Sequence, residues 1–203
     1  MARTESEARQ RRLNAVAATS FALGGSLFAL GALLAQADVG GPLLPACVYL
    51  AGGAFFSTGG LTSVLHERGA ARLKQLSALV LFVGTLVFAV NLVDSFIAEL
   101  TPRQADRLIW SPDMIGCALF LVSGHFGMVA ISGSWLPCWR PRDRGWQIVA
   151  VNQLGSVLFM VSAVASFVHT DGDLTSVAIA NWGTFAGALC FAVAGVIQEF
   201  DGP

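Results

Sequence analysis

Six long apolar runs, none containing Asp, Glu, Lys or Arg, alternate along the chain with short polar segments. They are Leu13–Ala37, Val39–Leu65, Gln75–Val93, Met114–Trp139, Gly145–Val168 and Leu174–Gln198. A helix crossing the roughly 30 Å hydrocarbon core needs about 20 such residues at about 1.5 Å each. None of the runs alternates polar with apolar positions as a barrel strand does, and lipid leaves no partner for unpaired backbone amides. The pattern predicts an all-α integral membrane protein of six transmembrane helices, preceded by a short polar segment, residues 1–12.

Composition narrows the choice further. Of 203 residues, 55% are hydrophobic and 12% charged, where a soluble domain carries about 25% charged residues. Disorder, a coiled coil and a charged docking platform are excluded. A net charge of −1 excludes a nucleic-acid partner, leaving membrane lipid as the expected surroundings.

The basic residues orient the spans. Arg3, Arg9, Arg11 and Arg12 precede the first; Arg68, Arg72 and Lys74 separate the second from the third; Arg140, Arg142 and Arg144 separate the fourth from the fifth. Only Arg103 and Arg107 fall on the other side. By the positive-inside rule both termini are cytoplasmic. Trp110, Trp135, Trp139 and Trp146 sit at predicted span ends, where amphipathic rings settle. Arginine far outnumbers lysine and Ala and Gly abound, the composition of a GC-rich bacterial genome, so the expected location is a bacterial inner membrane. A secretory signal is the competing reading of the N-terminus, given its arginines, Arg11-Arg12 among them, and Ala35-Gln36-Ala37. The 7–15 residues of a signal core are fewer than this apolar run supplies, which favours a retained helix.

Every span contains a Gly followed four residues later by Phe: Gly24/Phe28, Gly52/Phe56, Gly84/Phe88, Gly116/Phe120, Gly155/Phe159 and Gly187/Phe191. The longest gap between pairs lies between the fourth and fifth spans, as expected of three repeated hairpins, residues 13–65, 76–139 and 145–198. Positions i and i+4 share a helix face. The Gly admits a neighbouring backbone and the Phe fills the space beside it, the kind of packing that associates helices in lipid. Gly183, Gly187 and Gly195 form a small-residue stripe on the sixth span, and Ser123 and Gly127 continue the Gly116 face of the fourth. Such stripes serve packing within the chain or contact with a second copy or an accessory-subunit partner.

The third hairpin reads Trp146, then Asn152-Gln153-Leu154-Gly155-Ser156-Val157-Leu158-Phe159, a polar turn, and Asn181-Trp182-Gly183-Thr184-Phe185-Ala186-Gly187, ending at Glu199. Over residues 145–199 it is similar to the YrhK-like family of small bacterial membrane proteins, whose unit is a two-helix hairpin. The resemblance implies that hairpin unit, and neither a catalytic residue nor a cofactor.

An ionisable residue within a bilayer costs at least ~2.5–3.5 kcal/mol on insertion scales and is a functional candidate for that reason. His125 stands about 16 Å into the fourth span, near the midplane. It lies nine positions after Gly116 and so faces away from the Gly116/Phe120/Gly127 side, towards a second packing surface, a cavity or lipid. Asp94 lies near the outer end of the third span with Asn91 one turn before it. Asn152, Gln153 and Asn181 are candidates for interhelical hydrogen bonds within the third hairpin, or for lining a polar path. No metal or cofactor site is expected. Cys47, Cys117, Cys138 and Cys190 lack C-x-x-C spacing; Cys47 and Cys117 both lie towards the outer side, which leaves a disulfide between them open. His66 and His169 lie at opposite ends of their spans, unsuited to bis-His haem. No nucleophile motif or phosphate-cradling loop is present, and short loops leave no room for a catalytic domain, so the expectation is not an enzyme. The leading reading is a structural or accessory membrane component. The alternative is a small-solute or proton-coupled transporter using His125 and Asp94, to be separated by whether a wet cavity reaches His125.

Overall fold

The computed structural model describes residues 2–136 and 138–200. The chain is helical: α1 (Ala2–Gln36), α2 (Leu43–His66), α3 (Arg72–Asp94), the short α4 (Pro102–Ala105), a π turn at Asp106–Trp110, α5 (Ser111–Ser132), α6 (Arg144–Ala165) and α7 (Val177–Glu199). Among the described residues the sole sheet-like pairing is an isolated bridge, Val168 with Leu174. Six helical stretches are long and apolar enough to cross a bilayer.

The first and fourth helical stretches depart furthest from the bounds set by charge alone. The polar segment is helical and continuous with α1; Glu, Arg, Ala and Gln are strong helix formers, and Glu5/Arg9 and Glu7/Arg11 have the i, i+4 spacing that supports a helix. The fourth span, expected at Met114–Trp139, instead starts at Pro102 and stops at Ser132. At its start, Thr101 and Gln104 form a capping box with Pro102 at the first helical position, a strong initiation signal. At its end, Gly133 takes a left-handed conformation, φ 70°, and donates its amide to Val129 O at 2.9 Å, the common way an α-helix terminates. Ser134–Leu136, Cys138 and Trp139 lack charge but are not helical; Trp135 and Trp139 lie exposed there.

The long helices form a closed ring. Each packs on its neighbours in chain order, and α7 returns to pack on α1. Both termini lie at one end, together with the α2–α3 and α5–α6 connections. The outward faces carry exposed Leu and Val, such as Leu23, Leu30, Leu86, Val161 and Val193, a surface suited to lipid.

Packing inside the ring uses the Gly and Phe positions. A Cβ placed on Gly24 would meet Phe56 Cδ2 at 2.6 Å, and one on Gly52 would meet Phe28 Cδ2 at 2.8 Å. Phe120 covers Gly84 and Phe88 covers Gly116, both near 3 Å. In the third pair, Phe191 covers Gly155 and Phe159 covers Gly187, each glycine also 2.9 Å from the other's carbonyl oxygen. In each of these three pairs, α1 with α2, α3 with α5 and α6 with α7, each helix's Phe lies over its partner's Gly.

At the α7–α1 junction it is the backbones themselves that come closest. Cβ atoms at Gly25 and Gly195 would fall 2.6–2.7 Å from backbone atoms of Ala188 and Ala192, and of Ala18 and Ala22, respectively. The stripe on α7 is therefore occupied within the chain: Gly183 and Gly187 face α6, and Gly195 faces α1.

Candidate functional site

The six phenylalanines converge. Phe28 lies 5.2 Å from Phe56 and 5.6 Å from Phe88, centroid to centroid. Phe120 lies 5.9 Å from Phe88 and 6.0 Å from Phe191, and Phe159 stacks on Phe191 at 5.4 Å. All but Phe88 are 4% exposed or less. Edge-to-face and offset pairs of this kind each add about 0.5–1.5 kcal/mol beyond area burial. The space left among Phe28, Phe56, Phe88, Phe120, Phe159, Gly53 and Thr85 is about 10 Å³, at or below the ~10–15 Å³ that one water needs. The centre of the ring is all but filled by side chains.

At the end bearing the termini, the same ring opens into a cavity of about 1110 Å³. Its lining residues furthest along their helices from that end include Phe21, Leu81, Gly127 and Asn152. Phe21 meets Phe56 edge-on at 5.7 Å, so the phenylalanine cluster forms the cavity's base. Asn14 Nδ2 donates to Gln198 O at 3.3 Å while Gln198 Nε2 donates to Asn14 Oδ1 at 3.0 Å. This reciprocal amide pair closes the wall where the first and last long helices meet. Across the cavity, Ser123 Oγ donates to Ser77 O at 2.8 Å and Ser77 Oγ to Ser123 O at 2.9 Å, tying α3 to α5.

The residues singled out from sequence are dispersed. His125 is exposed on the outer face of α5, its ring 5.9 Å from that of Trp135, and lines neither cavity. Asp94 is half-buried in the last turn of α3. Asn91 is buried, and its Nδ2 has no hydrogen-bond partner. Asn181 Nδ2 donates to Gln36 Oε1 at 3.2 Å, joining α7 to α1 and not to α6. The hydrogen bonds expected of Asn152 and Gln153 are absent at their side-chain oxygens, which are buried and unpartnered; Gln153 Oε1 is pressed against Gly124 of α5. Hairpin three is joined instead by Ser162, whose hydroxyl donates to Ala180 O at 2.6 Å and lies 2.7 Å from Thr184 Oγ1. All four cysteines are free, Cys117 buried and Cys47 exposed, so no disulfide joins Cys47 to Cys117.

Asp113 is a polar residue the sequence reading passes over. It falls one position before the charge-free run at Met114, yet the helical stretch from Pro102 carries it well inside the fourth span. Cys117 Sγ donates to its Oδ1 at 3.6 Å, and it lies within electrostatic range of Tyr49 on α2. The Thr101-Pro102-Arg103-Gln104 capping box is the signal that locates it. Among the described residues, no group of three or more His, Cys, Asp or Glu is placed to hold a metal ion.

A ring of six helices long and apolar enough to cross a bilayer, closed at its centre and open to a polar cavity at one end, is the make-up of a multi-pass membrane protein. No family model, no curated protein and no solved structure matches the chain.

Proposed function

We propose that the protein is a non-conducting accessory component of a bacterial inner membrane, its termini and cavity mouth in the cytoplasm. One observation carries this reading: each long helix contributes one Phe to a cluster that leaves only about 10 Å³ at the ring's centre, at the lower limit of what a single water needs. A path for ions or polar solutes needs water or polar groups throughout, since an unsolvated charge at mid-bilayer costs several kcal/mol. The orientation rests on the basic residues, concentrated at the end that bears the termini. The reciprocal Gly/Phe covering in three successive helix pairs supports descent from one duplicated hairpin, and the YrhK-like character of residues 145–199 belongs to the same proposal. Transport through His125 and Asp94 is the weaker reading, because neither side chain lines a cavity.

The test is flux. Purified protein in liposomes loaded with a pH-sensitive dye is expected to dissipate an imposed proton gradient no faster than protein-free vesicles. Protein-dependent, saturable flux of protons or of a co-imposed solute overturns the reading.

A further inference from the structure

The connection from α5 to α6 displays its large apolar side chains more openly than any helix face does. Trp139 and Leu136 are 80% and 75% exposed, against 46% and 47% for Leu23 and Leu86 on the outward faces of the ring. Trp135 is exposed beside them, its indole lying back along α5, 5.9 Å from the ring of His125 and two turns before the helix ends at Ser132.

The segment is held in this arrangement. Ser132 Oγ accepts the Ser134 amide at 3.2 Å and donates to Ser134 O at 3.0 Å, and Ser134 Oγ accepts the Leu136 amide at 3.1 Å. Trp146 Nε1 donates to Cys138 O at 2.6 Å, and the exposed Trp139 ring stands edge-on against Trp146 at 5.0 Å. Irregular backbone facing lipid is not tolerated within the hydrocarbon, whereas indoles settle at headgroup level. These tryptophans therefore mark the bilayer interface at the end bearing the termini.

Three arginines follow at once: Arg140, Arg142 and Arg144. Asp143 does not neutralise them. Its carboxylate accepts the Trp146 amide at 3.1 Å, and among the described residues no ion pair joins it to any of the three. Arg144 Nη1 donates to Phe200 O at 2.9 Å. Arg140 reaches Ile131 O and Ser132 O at 3.4 Å, two of the five N–H donors a guanidinium carries. Arg142 is exposed and has no hydrogen-bond partner among the described residues. The guanidinium fork matches the oxygens of a phosphate.

We propose that residues 134–144 form a docking site for an anionic phospholipid. Its phosphate is taken by Arg142 and Arg140, and its acyl chains lie against Trp135, Leu136 and Trp139. The inference rests on the chain spanning a bilayer, but neither on which side the termini face nor on whether the ring conducts.

The experiment places the full chain in liposomes of phosphatidylcholine and phosphatidylglycerol, with one or the other lipid brominated in its acyl chains. Bromine quenches an indole that it touches, and the difference between wild type and Trp135→Phe isolates Trp135. Both leaflets carry both lipids, so a reversed orientation of the chain leaves the result unchanged. Phosphatidylglycerol is expected to be enriched at Trp135 by about fivefold or more, the effect of one arginine near a lipid surface. Arg142→Gln should remove most of that enrichment, and since Arg142 has no partner within the chain, its loss leaves folding intact. Arg68→Gln, in the α2–α3 connection at the same end, should change nothing. Equal quenching by the two lipids, an enrichment untouched by Arg142→Gln, or one that Arg68→Gln lowers equally (a diffuse field only) overturns the proposal. So does a Trp135 that neither lipid quenches, as when the segment faces water or a protein partner.

Discussion

Replacing Gly195 by Ala adds one methyl group at the junction where, among the described glycines, a neighbouring helix backbone comes nearest. That methyl would lie 2.7 Å from both Ala18 O and Ala22 N. These are backbone atoms of a continuous helix, so no side-chain rotation relieves the overlap. Reaching the 3.4 Å where ordinary contact begins means that α7 and α1 draw apart by several tenths of an ångström. A gap of about 0.5–1 Å already forfeits a quarter to a half of each dispersion contact across the interface. Overpacking of this kind costs about 1–3 kcal/mol, and Ala's better helix propensity returns up to ~1 kcal/mol. The net is about 1–2 kcal/mol destabilising, or a fall of about 2–8 °C in midpoint for a chain of this length. Thermal unfolding in detergent, followed by tryptophan fluorescence, reads the shift. Gly145→Ala is the control: its nearest contacts are Asp143 Oδ1 at 3.3 Å and Ile131 Cδ1 at 3.8 Å, so its midpoint should hold or rise. Gly25→Ala attacks the same junction from α1, and the double variant should cost less than the two singles combined, because the helices have already separated. A Gly195→Ala protein as stable as wild type would refute close α1–α7 packing.

Gly187→Leu should misassemble the chain or unfold it at lower temperature, since the added side chain meets Gly155 O at 2.9 Å and the Phe159 ring. Gly172→Leu should cost far less: φ is +95° but nothing lies within 4 Å, so the penalty is backbone strain of roughly 1–2 kcal/mol. His125→Leu, on the exposed face of α5, should shift the midpoint by no more than about 0.5 kcal/mol equivalent. A large loss would mean that His125 is buried in a contact.

The six long apolar helices were legible because lipid enforces a simple rule, long charge-free apolar runs, and the i, i+4 Gly/Phe spacing located the packing face of each helix. Charge alone misplaced the fourth span, since its start is set by the capping at Thr101 and its end by Gly133, neither of which changes hydropathy. Asp113 was lost with that boundary. The cavity was not legible at all. Its wall joins the ends of helices far apart in sequence, Asn14 with Gln198 among them, and it exists only once α7 has closed the ring onto α1. His125 shows the converse limit: helical periodicity gave the direction in which it points but not that this direction leads outside the ring.

Closure at the ring's centre is tested most directly by water access along the inner face of α3. Leu81 lines the cavity, and Thr85, one turn deeper, is 3% exposed and borders the phenylalanine cluster. With the four native cysteines replaced, Leu81→Cys and the nearly isosteric Thr85→Cys are each exposed in liposomes to a small charged thiol reagent from the side bearing the termini. The account predicts that Leu81→Cys is modified and Thr85→Cys is protected. Comparable modification of both positions would show water continuing through the centre, contradicting a closed ring.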